Sequence, residues 1–228
     1  MTDPAATLEA LFDAERAARR AHDALLDRDA EGVVPLLERA ARQALELDDE
    51  DESSLRLVRL AALLGEMQGP RVVDLLVDIL GGDEPEARHA AGEALEGLAF
   101  DRFKEVALGV ERALERLPAT SPALSELPYL LAQVPEPGVM RLLARFLAHP
   151  SADAVASAIE ALVEIGDPAA LSLLDPLASD ARTVQLEDDG GTEGDATLAE
   201  LVAEARTLLA GSLGAATGAT GSKRGERG

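Results

Sequence analysis

The feature that most constrains this chain is a recurrence. Stretches that read as a helix, a turn and a second helix begin near residues 31, 70, 101, 137 and 168, at spacings of 39, 31, 36 and 31. The triplets Ala62-Leu63-Leu64, Glu93-Ala94-Leu95 and Glu160-Ala161-Leu162 fall in register in the second helices, and the pairs Leu36-Leu37, Leu75-Leu76, Leu142-Leu143 and Leu173-Leu174 mark the first. A degenerate copy, DRFKEVALGVERALERLP, fills 101–118; the helix after it contains Pro128 and is expected to kink or start late. Isolated helices this short are marginal in water. The stripe Ala87, Ala91, Leu95 and Leu98 therefore needs a neighbouring copy to cover it, and self-similarity at this period is the signature of a helical solenoid. The expected fold class is all-α, an α-solenoid of stacked antiparallel helix pairs.

Composition agrees. Of 228 residues 47% are apolar, yet Trp is absent, Tyr occurs once and Phe four times. The core must be Leu, Ala and Val, which suits helix seams better than a β-sandwich. Asp3 and Pro4 start a first helix that lasts to about residue 28, Glu31-Gly32 breaks the pattern, and the acidic run DDEDES (48–53) ends the second. The expected organisation is an N-terminal capping helix over 1–30 and about five helix pairs over 31–213. An acidic loop at 179–195 interrupts the last pair, and a disordered tail covers 214–228. No strands are expected.

GGDEPEARHAAGEALEGLA resembles a HEAT repeat of the short form found in bilin-lyase-like proteins, with Asp83, Pro85 and Arg88 at that family's turn-Asp, Pro and Arg. Gly166, Asp167 and Pro168 are similar to its joint between units. Val155 and Leu57 stand where Arg88 does, so the family's Arg–Asp ladder is not continuous. The resemblance covers about residues 31–180. It implies a right-handed, HEAT-like superhelix whose second helices line the concave face.

Formal net charge is −22, which opposes binding to nucleic acid or anionic lipid. It suits solubility or a basic protein partner. The chain has no cysteine, hence no disulfide or thiolate site, which fits a reducing compartment. With no secretory signal and no membrane-spanning run, a cytoplasmic location is expected. The three histidines, His22, His89 and His149, form no metal-ligand pattern, and there is no His-Glu dipeptide of the kind that binds iron in some HEAT-type hydroxylases. EDDGGTEGD (187–195) departs from the calcium-loop pattern. No catalytic group, metal or cofactor is assigned.

Binding is the remaining role. Opposite its apolar stripe the helix at 83–99 carries Glu86, His89, Glu93 and Glu96. The helix at 153–165 carries Asp153, Glu160 and Glu164. The degenerate unit adds Glu126, Tyr129 and Gln133, and the first unit Arg56, Arg59 and Glu66. These positions define an expected acidic groove with one aromatic and a basic end. It would receive a basic segment of a partner protein, making the chain a scaffold or adaptor. The alternative is a bilin-lyase-type enzyme or subunit acting on a chromophore or protein side chain. The oligomeric state is not specified by the sequence; a monomer is the adopted reading.

Overall fold

A computed structural model of the chain describes residues 3–187 and 193–221. It is mostly helical: α1 (Pro4–Leu26), α2 (Ala30–Leu45), α3 (Glu50–Gly65), α4 (Pro70–Leu80), α5 (Pro85–Arg116), α6 (Ala123–Ala132), α7 (Val139–Leu147), α8 (Ala152–Ile165), α9 (Ala170–Leu173) and α10 (Leu198–Gly221). A short 3-10 turn, Asp175–Leu177, follows α9, and strands β1 (Thr183–Glu187) and β2 (Glu193–Thr197) precede α10. The chain divides after Ala94 into two compact units.

In the first unit, α1 starts as its residues dictate. Asp3 accepts the Ala5 N–H at 3.1 Å and Pro4 takes the first helical position. α1 ends at Leu26, near the expected residue 28, but the break between the helices falls at Asp27–Asp29 and Glu31-Gly32 lies inside α2. Gly32 lies in the first turn of α2, where backbone N–H groups have no intrahelical partner and helix-breaking residues cost least. The run 48–53, expected as a loop, instead opens α3. Asp49 caps it, accepting the Glu52 N–H at 3.1 Å, and Glu50, Asp51 and Glu52 occupy the first turn, where the helix dipole favours negative charge. Gly69 holds φ +126° before Pro70, a conformation that disfavours any side chain.

α2, α3 and α4 pack on one another, and the Ser53 hydroxyl donates to the Ala44 carbonyl at 2.9 Å. α3 and α5 approach closely where a Cβ on Gly65 would stand 3.1 Å from that of Ala94. α1 buries none of its residues. Its contacts to α3, Glu15 to Arg59 (3.5 Å) and His22 to Glu66 (2.8 Å), share one offset of 44 residues, so the two helices run parallel.

In the second unit, α5 is kinked at Arg102 (φ −142°, ψ 51°). α6 starts at Ala123 and carries Pro128 buried within it. α8 packs against α6, α7 and α10. Ser151 caps α8 by accepting the Ala154 N–H, and left-handed Gly166 (φ 67°) ends it.

Two expectations fail here. The segment 179–195 is not all loop: β1 and β2 pair antiparallel from Thr183↔Thr197 to Glu187↔Glu193. Val184 is buried, and Arg182 donates to the His149 and Pro150 carbonyls while pairing with Asp180, which ties the hairpin to the turn before α8. The rest of that acidic stretch, 188–192, lies outside the described residues. The second correction concerns the tail. α10 continues to Gly221, into the stretch expected as tail; the remaining residues, 222–228, lie outside the described residues. The start of α10 is a capping box: the Thr197 hydroxyl accepts the Glu200 N–H, and Glu200 accepts from the Thr197 N–H and hydroxyl.

Several side-chain hydrogen bonds between elements span similar stretches of chain. Side-chain hydrogen bonds join Ser54 to Glu86, Arg71 to Glu38, Arg145 to Glu115, Tyr129 to Glu160, Gln133 to Glu164 and Arg206 to Asp175, at separations of 30–33 residues.

Candidate interaction surface

The expected site residues fall into two groups, one in each unit. In the first unit, Arg56 pairs with Glu52 (2.7 Å), Arg59 with Glu15, and His89 with Glu93 (3.5 Å), while Glu86 accepts from the Ser54 hydroxyl at 3.4 Å. Arg59 and Glu86 meet on one open groove of about 750 Å³ between α3 and the start of α5. Arg56, His89 and Glu93 lie outside its lining.

Sequence reading missed most of this groove. Leu55, Val58 and Pro85 supply its apolar surface, and Leu55 is 60% exposed. Glu50, Asp51 and Glu84 join Glu86 around it. The four carboxylates cluster because two helices begin here, and first turns favour acids. The signal was DDEDES itself, read as a helix start.

In the second unit the expected residues bind one another. The Tyr129 hydroxyl donates to Glu160 at 2.5 Å, and the Gln133 amide donates to Glu164 at 2.7 Å. These two rungs link α6 to α8. Burial first, and then the Glu160 carboxylate, push the Tyr129 phenol up to about 12, with Glu126 adding to the effect. Tyr129 is the sole tyrosine in a chain without Trp, so an ultraviolet titration reads it alone. The expected midpoint is about 12, lowered part of the way toward the ordinary value of about 10 by Glu160→Gln. A wild-type midpoint near 10 would show that the rung does not form. The neutral phenol is the favoured folded form. Its contribution is therefore whole below about pH 10 and lost as pH rises toward about 12.

Among the described residues no group of three or more His, Asp or Glu could hold a metal ion, and no helix is long and apolar enough to cross a membrane. His149 is buried, and its Nδ1 accepts the Ser151 N–H at 3.2 Å, a structural role.

These features define a mostly helical protein with one inserted β-hairpin and a groove in its first unit lined by four carboxylates, Arg59 and apolar side chains. No protein-family model matches the chain, and no curated protein does.

Proposed function

We propose that the chain is a right-handed, HEAT-type α-solenoid that serves as a protein-interaction scaffold of the cytoplasm, and that the groove between α3 and α5 receives a basic segment of a partner. One observation carries this reading: four carboxylates, against a single arginine, share the lining of that groove with an exposed leucine. A Lys or Arg of the partner meets Glu50, Asp51, Glu84 or Glu86, and an apolar side chain covers Leu55. Exposed charge pairs contribute little individually and are screened by salt, so the apolar contact supplies affinity and the carboxylates supply selectivity.

The test uses a synthetic peptide with leucine flanked by lysines. Glu84→Lys/Glu86→Lys is expected to weaken its binding by about tenfold or more, which is about 1.4 kcal/mol. Glu136→Lys/Glu204→Lys makes the same change in net charge elsewhere and is expected to leave binding nearly intact. Equal losses in both variants would reduce the effect to net charge and defeat the reading.

A further inference from the structure

Leu55 and Arg59 stand one turn apart on α3, so they share a face of that helix. Both line the acidic groove between α3 and the start of α5, where Arg59 is the one cation. Both also line a second groove, of about 710 Å³, between α3 and α1. The two grooves therefore meet along this ridge, with α1 on one flank and Glu84 and Glu86 on the other.

What α1 places against the ridge is Glu15. Its Oε2 accepts from Arg59 at 3.5 Å, and its Oε1 accepts from Arg19, one turn along α1, at 3.4 Å. The Glu15 and Arg59 side chains are 43% and 62% exposed, and a long, solvated pair of this kind contributes little to stability. Its effect on the groove is a different matter. Glu50, Asp51, Glu84 and Glu86 attract a basic segment, whereas Arg59 among them repels it. Glu15 stands outside that lining and carries the charge that offsets Arg59. We propose that Glu15 is a selectivity residue of the acidic groove: held on α1, it neutralises Arg59 and so raises the affinity of the groove for a cationic segment. This inference rests on the reading of the groove given above and adds α1 to it. Glu15 acts through Arg59 and is a positioning residue, with no contact of its own to the partner required. A discriminating surface works as much by what it repels as by what it attracts, and the contact with α1 removes a repulsion of the wrong sign.

The test is a double-mutant cycle in the full chain, with the leucine peptide flanked by lysines labelled for fluorescence anisotropy. Glu15→Gln is expected to weaken binding by about threefold, the size of one exposed charge pair, and the difference is expected to shrink at high salt. In an Arg59→Gln background the same substitution is expected to lose most of its effect, because the cation it would unmask is gone. A purely structural role for Glu15, in seating α1, would not be rescued in this way. Both side chains are exposed, and thermal melts check that the variants fold. An equal loss in the two backgrounds, a loss that high salt leaves unchanged, or no loss at all would overturn the proposal. Binding that is lost in Glu84→Lys/Glu86→Lys but indifferent to Glu15→Gln would overturn this inference alone. No binding by the wild type would overturn the reading of the groove and this inference with it.

Discussion

Phe146→Ala is expected to destabilise the second unit by about 3–5 kcal/mol, read as a shift in urea or thermal unfolding. Phe146 heads the fully buried side chains by size. It lies on α7, only nine residues long, which packs against α8 and α6. Of the other phenylalanines, Phe12 and Phe100 are exposed and Phe103 lies against Gly138, just before α7. A core of leucines and alanines already at interior density relaxes only in part around such a void. Phe146→Leu keeps most of the volume and is expected to cost less than about 1.5 kcal/mol. Equal costs for the two variants would mean that the site collapses freely and is not the packed centre described. Single domains hold only about 5–15 kcal/mol in total, so the alanine variant removes a large share.

The second large effect is Leu95→Ala, at about 2–5 kcal/mol. Leu95 has no exposed surface and belongs to the α5 stripe Ala87, Ala91, Leu95 and Leu98, every member of which is buried. Two residues earlier, Glu93 points into solvent with 71% of its side chain exposed. Glu93→Ala is expected to stay within about 0.5 kcal/mol, the ordinary range for surface changes. If the two variants melted together, the face assigned to the interior of α5 would be wrong.

That stripe was legible from helical spacing, the start at Asp3-Pro4 from its capping residues, and the turn at Pro85 and the joint at Gly166 from the resemblance to a HEAT repeat. Their common property is that the information is local: a cap, a turn glycine or a 3-4 step acts on its own few residues. The parts that were not legible depend on competition between readings. DDEDES reads as a solvated loop on polarity and as a helix start on the dipole, and the helix wins because Asp49 adds a cap. Thr183 to Leu186 has the alternation of a strand, but its acidic, glycine-rich flank reads as loop. Pairing with Glu193–Thr197 and anchoring by Arg182 decide the outcome.

The candidate site was harder still. Arg59 and Glu86 were found from their helical faces. Tyr129, Glu160, Gln133 and Glu164 were found as surface residues but turn out to be bonded in pairs across α6 and α8. Leu55 could not be singled out at all. Its exposure depends on which helix stands beside it, and a leucine in a repeat looks the same whether or not its neighbour is present.

The 30–33-residue reach of the hydrogen bonds between helices has a consequence for how the protein is made. Bonds between α1 and α3 reach only a little further, 44 residues. No segment described by these bonds must wait for a distant stretch of chain, and closing loops of this length costs similar entropy each time. Contacts this local in sequence favour fast folding over pairing of distant stretches. During translation, which delivers about 5–20 residues per second, α2, α3 and α4 have all their mutual partners as soon as Leu80 has cleared the ribosome, long before the hairpin exists. The apolar faces that α2, α3 and α4 turn toward one another are thus covered in the order in which they appear, and the window in which they could meet another nascent chain stays short.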